Sequence, residues 1–116
     1  MSEFIRGAVR MHILHHAAEG EIHGAWMAEE LGHHGYRISP GTLYPTLHRL
    51  EAHGLLTSRQ ATVEGRGRRL YRITDAGRAV LADERRALTE LAREVLHDET
   101  TDTPDADPED GTTPDE

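Results

Sequence analysis

The chain has 116 residues, 36% hydrophobic and 29% charged, with no Cys and a formal net charge of −8. That length suits one small domain with terminal extensions, and the missing Cys excludes disulfides and thiolate-bound zinc. No apolar run reaches the roughly 20 residues of a membrane span, and MSEFIRGAVR lacks a signal-peptide core, so the expected setting is soluble and cytoplasmic with no membrane partner.

The charge is unevenly placed. Residues 99–116 hold Glu99, Asp102, Asp105, Asp107, Glu109, Asp110, Asp115 and Glu116 and no Arg, while residues 1–98 balance 13 acids against 13 Arg. Between residues 37 and 72, seven Arg (37, 49, 59, 66, 68, 69 and 72) face only Glu51 and Glu64. A basic middle in an acidic chain suits a surface that meets a polyanion.

Phe4 to Ala18 is predicted as a first helix, with Phe4, Ile5, Ala8, Val9, Met11, Ile13, Leu14 and Ala17 forming a broad apolar face. His23 to Leu31 is a second, with Trp26, Met27 and Leu31 inward and Glu29 and Glu30 outward. Gly32 to Gly35 makes a turn. In Ser39 to Leu56, SPGTLYPTLHRLEAHGLL, the residues Leu43, Leu47 and Leu50 recur at i, i+4 and i+7, one stripe of a third helix. Thr42 is the expected cap, which places Pro45 in the first turn where no amide partner is lost; Ser39 to Gly41 is then an approach turn. Gly54 is the stop.

The period then shortens. Leu55 to Val63 and Arg69 to Thr74 alternate in part, with Glu64 to Arg68 as a glycine-rich reversal. Asp75 is expected to cap a last helix, running to about Asp98. Its Leu81, Leu88, Leu91 and Val95 form a stripe too long for so small a domain to cover, which points to a dimerisation arm. From Glu99 onward the chain is rich in acid, Pro and Gly and is expected to be disordered. The fold class is therefore mainly α with a small β-hairpin: a winged helix-turn-helix domain over residues 1–74, a dimerisation helix over 75–98 and an acidic tail over 99–116.

On this architecture the DNA-facing candidates are Thr42, Tyr44, Thr46, His48 and Arg49 on the third helix, with Arg66, Arg68 and Arg69 at the tip of the hairpin. Arg49 suits a guanine edge or a phosphate; Thr42 and Tyr44, near the helix start, suit phosphate. The three wing arginines suit the backbone or the minor groove. No nucleophile or paired carboxylate stands in a catalytic pattern, and GRG at 65–67 lacks the spacing of a phosphate-binding loop, so no enzyme activity and no cofactor are expected. Nine His raise a metal reading. His12 and His16 are i, i+4 on one helix, and His15, His33 and His34 complete a site only if the fold brings them near. Without a carboxylate–histidine motif, a hydrogen-bonded core histidine is the commoner explanation for such a residue.

Three segments, GEIHGAWMAEEL (20–31), ISPGTLYPTLHRLEAHGLL (38–56) and RRLYRITDAGRAVL (68–81), resemble in order and spacing the PadR family of transcriptional regulators. They look like its His-Gly turn, its recognition helix and its wing strand followed by T-x-A-G. The resemblance implies a homodimeric repressor on a pseudo-palindromic double-stranded DNA operator, of the branch with a single C-terminal helix. It also implies a small aromatic or drug-like effector at the dimer interface, for which Trp26 is the candidate lining residue. The chain departs from the family pattern in having Ala25 and Trp26 after His23-Gly24, His15 and His16 at usually apolar positions, and the acidic tail.

Overall fold

The computed structural model describes residues 1–101, with side chains through His97. In chain order the elements are α1 (Glu3–Glu19), α2 (Gly24–His33), α3 (Pro40–Ala52), β1 (Leu56–Val63), β2 (Arg66–Ile73) and α4 (Asp75–Thr101). Met1–Ala82 form one compact unit and the remainder of α4 lies in a second. The division falls within α4 and not at its start, because the first turns of that helix pack into the core of the first unit.

Each helix boundary has a local cause. Ser2 Oγ accepts the Ile5 N–H at 3.1 Å to open α1, and His23 Nδ1 accepts the Trp26 N–H at 3.3 Å to open α2. Both supply an acceptor to an otherwise unpaired first-turn amide. The second and third helices close in the same way. Gly35 (φ 88°) and Gly54 (φ 79°) take the left-handed conformation, and the following amides reach back from Tyr36 to Leu31 O and from Leu55 to Leu50 O, each at 2.9 Å. This is the Schellman closure, which a residue with a Cβ adopts only under strain.

Two expected starts are corrected. Helix α3 begins at Pro40 with Ser39 as its cap, not at Thr42, so Pro45 lies inside the helix. The Leu43 amide bonds to Ser39 O at 2.9 Å, which shows the turn closed before Thr42. Pro45 removes one backbone bond, and the buried leucines on either side of it hold the helix together. The cap of α4 is Thr74 and not Asp75: Thr74 Oγ1 accepts the Gly77 N–H at 3.0 Å and donates to Gly54 O at 2.5 Å. One hydroxyl thus ties the end of α3 to the beginning of α4. Gly77 packs directly on Leu55 O and Ile73, where a Cβ would overlap both.

The hairpin is longer and tighter than its sequence suggests. Strands β1 and β2 pair antiparallel from Leu56↔Ile73 to Val63↔Arg66, leaving only Glu64 (φ 51°) and Gly65 (φ 78°) as the turn. Two successive positive φ values make a reversal whose twist matches the strands. Ile22 adds an isolated bridge to Tyr71, so β2 has a backbone partner on both sides. Alternation along the strands then places Leu56, Tyr71 and Ile73 against the helices, all buried.

The core of the first unit joins Val9, Ile13, Leu14 and Ala17 of α1, Met27 and Leu31 of α2, and Leu43, Leu47 and Leu50 of α3 to that hairpin face and to Leu81. Leu81 is 2% exposed. Its assignment to a dimer stripe is therefore corrected: its apolar surface is already covered within the chain. Trp26, expected inward, is 40% exposed, because the inward positions of this ten-residue helix go to Met27 and Leu31. At the far end α4 continues to Thr101, three residues past the expected end. Residues 102–116, the greater part of the expected acidic tail, lie outside the described residues.

Candidate nucleic-acid interface

Helix α3 keeps its leucine stripe dry: Leu43, Leu47 and Leu50 are 1%, 0% and 2% exposed. That fixes the helix rotation, so Thr42, Tyr44, His48 and Arg49 are exposed and Thr46 is partly so. These five do not form one patch. Thr42, Thr46 and Arg49 follow one flank. Thr46 Oγ1 donates to Thr42 O at 2.8 Å and accepts from Arg49 Nη2 at 3.3 Å, while Ser39 Oγ and Thr42 Oγ1 stand 3.4 Å apart. Thr46 is therefore engaged in holding the Arg49 guanidinium along the helix. His48 sits on the outermost surface.

Tyr44 occupies the opposite flank. Its ring lies over Gly24, where a Cβ would collide with the ring and its hydroxyl. Tyr44 is thus part packing group and part rim, and Gly24 is required to leave room for it. The pairing of a glycine at the start of α2 with a tyrosine in α3 is legible in the sequence only once the two helices are packed.

Two arginines that local reasoning missed also belong here. Arg6 and Arg10 of α1 line a cleft of about 190 Å³ together with Thr42, Thr46 and Arg49 of α3 and with His53, which follows that helix. Their i, i+4 spacing places them on one side of α1, but only the packing of α1 on α3 brings that side beside Arg49. Three arginines from the two helices, and His53 just past the end of α3, then border a single groove.

The hairpin arginines are separated by strand alternation. Arg66 and Arg68 share one face of β2 with Arg72, while Arg69 points from the face that carries Tyr71. Arg69 Nη1 donates to Ser58 Oγ at 3.2 Å, and Ser58 Oγ donates to Glu51 at 2.8 Å. This chain of bonds anchors the hairpin to the end of α3. The expectation that Arg66, Arg68 and Arg69 act as one tip cluster is replaced by a pair with Arg72 in line behind it and a separate bracing arginine. Arg59 is likewise engaged, donating to Glu21 through Nε and Nη2 at 2.7 and 2.8 Å.

A profile of the transcriptional regulator PadR-like family matches residues 13–83. This chain belongs to the PadR-like family. Transcriptional regulator Rv3488 of Mycobacterium tuberculosis is 71% identical over 96 residues, covering 83% of this chain and 90% of the relative. Among solved structures, a transcriptional regulator from Clostridium thermocellum superposes with a TM-score of 0.71 at 30% identity, covering 84% of this chain and 97% of the other. A PadR-like regulator from Bacillus cereus does so at 0.76 and 26% identity, covering 83% and 95%. The winged-helix fold and the regulatory class are those expected from the three motif segments, and PadR-like regulators act without enzyme chemistry.

The PadR motifs now have physical reasons in this chain. His23 caps α2 and Gly24 makes room for Tyr44. Gly54 closes α3. Thr74 and Gly77 join α4 to the hairpin. Trp26, the candidate effector contact, borders a shallow cleft with His16, Glu19, Glu21, Ile22 and His23, its ring edge-on to His16 at 5.4 Å. In the second unit, Leu88, Leu91, Val95 and Leu96 are 45–56% exposed. Among the described residues no helix is long and apolar enough to cross a membrane.

Proposed function

We propose that this PadR-like regulator is a DNA-binding repressor that acts in the cytoplasm as a homodimer on a pseudo-palindromic operator. The observation that carries this is the outer surface of α3: a sealed leucine stripe presents His48 and Arg49 outward, with Arg6, Arg10, Thr42 and His53 beside them. A short helix with that division is what a major groove admits. Arg49, held by Thr46, reads a base edge; Thr42 and the amides at the start of α3 meet phosphate. Arg66 and Arg68 follow the backbone on the wing.

The second copy docks on the Leu88, Leu91 and Val95 stripe of α4. Paired recognition helices then enter successive major grooves about 34 Å apart. A small aromatic or drug-like effector near Trp26 would relieve repression by favouring a spacing of the two recognition helices that does not fit the duplex.

The test is recovery of bound fragments from sheared source-genome DNA by the full chain at about 0.15 M salt, where nonspecific binding is weak. An inverted repeat with half-sites about 10 base pairs apart is expected. On that site Arg49→Ala should relax selection at one position by about 1–3 kcal/mol. Recovery of no sequence above background, with and without small-molecule extracts, would refute the reading.

A further inference from the structure

Most of the histidines are gathered on one side of the first unit, away from the α3 surface. His12 and His16 project one turn apart from α1. His34 closes α2, and its preferred nitrogen lies with theirs in one group whose potential ligand atoms are all within 4.8 Å of one another. Glu30, one turn before His34, stands beside this group and not within it: its Oε2 is 3.2 Å from His34 Nε2 and 3.6 Å from His16 Nε2, so it needs only a side-chain turn to join the three imidazoles. A zinc-sized ion holds its ligands at about 2.0–2.2 Å, so tetrahedral ligand atoms stand about 3.3–3.6 Å apart. The two carboxylate–imidazole separations are close to that edge length, and the three imidazoles, within 4.8 Å of one another, would draw in slightly on an ion.

We infer that His12, His16, His34 and Glu30 form a binding site for a divalent transition cation of the Zn(II) or Ni(II) class. Three imidazoles and one carboxylate suit such borderline ions, and a chain without Cys has no thiolate to favour softer ones.

The surroundings match what a metal site needs. Glu19 Oε1 is 3.4 Å from His16 Nδ1, an outer carboxylate that holds the ring with Nε2 turned toward the ion. The His12 ring is flanked by Tyr36 edge-on at 5.2 Å and by His34 at 4.9 Å, which limits its rotation. The four ligands come from two helices, so a bound ion would clip α1 to the end of α2, the element that leads into α3. Glu19 also approaches His15, at 3.4 Å, and His15, His16 and Glu19 make a second triad. That triad lies on a single helix end and its glutamate is 63% exposed, which makes it the weaker cage.

The site is independent of the DNA-binding reading and is tested without DNA. The full chain, stripped with chelator, is titrated with Zn(II), Ni(II) and Mg(II) by calorimetry and by fluorescence of Trp26, the sole Trp, whose ring adjoins His16. One Zn(II) or Ni(II) per chain at micromolar affinity or better, a Trp26 fluorescence change that saturates at the same stoichiometry, and no response to Mg(II) are expected. His12→Ala and His34→Ala should each weaken binding by at least about 100-fold and Glu30→Gln by about 10-fold, with His97→Ala unchanged. Unaltered apo melting temperatures will show that the variants fold. Absence of binding at 0.1 mM metal overturns the proposal, and so does binding that survives His12→Ala and His34→Ala but falls with His15→Ala.

Discussion

Helices α3 and α4 carry leucines at similar spacing and use them in opposite ways. On α3, Leu43, Leu47 and Leu50 are all sealed inside the first unit. On α4 the stripe changes character along its length: Leu81 is 2% exposed, while Leu88, Leu91 and Val95 are 49%, 45% and 54% exposed. Helical periodicity reports that one face avoids water; it does not say which surface covers that face. For α3 the cover is the rest of its own domain. At the end of α4, Leu88, Leu91 and Val95 are about half-exposed, which is why a second copy is proposed there.

The comparison breaks first at its most buried point. Leu47→Ala should cost about 2–5 kcal/mol in urea unfolding, from lost transfer energy and the cavity left behind. Leu88→Ala should move unfolding of the first unit by under about 0.5 kcal/mol, yet lower the dimer fraction in sedimentation at micromolar concentration. Equal destabilisation by the two substitutions would refute the division of α4 into a buried start and an open end. At the junction, Gly77→Ala should cost about 1–3 kcal/mol, since its Cβ meets the Leu55 carbonyl and Ile73 rather than the flexible end of a side chain,.

Smaller effects sharpen the contrast between packed and solvated parts. Glu64 holds a left-handed conformation in the hairpin turn, so Glu64→Asn should raise stability by up to about 1 kcal/mol, read as a higher melting temperature. The smallest effect is electrostatic. Hydrogen bonding to Arg59, and then its charge, lowers the Glu21 carboxyl below its ordinary 4.5. As pH falls, the unfolded chain takes up the proton first, so the stabilisation is complete above that value and is lost as pH drops through the folded pKa. Glu21→Gln should therefore melt slightly below the parent near pH 7, with the gap closing as the pH falls below 4.5,. A gap that widened in acid would contradict the assignment.

The parts legible in the sequence are those governed by neighbours along the chain. The leucine stripes, the glycine stops and the order of helices, hairpin and helix follow from short-range periodicity and turn chemistry, and the three motif segments point to the PadR-like family. Starts were less legible. The cost of Pro45 inside a helix points to Thr42 as the cap of α3, but the buried leucines outweigh one missing backbone bond and the helix begins at Pro40,. Thr74 displaced Asp75 because its hydroxyl has a second partner, Gly54 O, 20 residues away.

The surface predictions divide in the same way. Exposure of His48 and Arg49 follows from the leucine stripe alone. That Tyr44 would lie on Gly24, that Arg69 would brace Ser58 while Arg66 and Arg68 share another face, and that Arg6 and Arg10 would border the α3 groove depend on contacts between elements. Trp26 stands 40% exposed where its spacing predicts an inward position, because a single amphipathic turn cannot show which of several apolar residues the neighbouring helix has room to cover.

By itself, then, the sequence determined the elements, their amphipathic faces and the regulator family, since each is written in spacings of a few residues. Only the tertiary structure decided which face meets which. It closed Leu81 into the core, left Leu88, Leu91 and Val95 open, and brought His12, His16, Glu30 and His34 together. The reason is geometric: those residues lie up to 22 positions apart in the chain, and only the packing of α1 against α2 reduces that separation to a few ångströms.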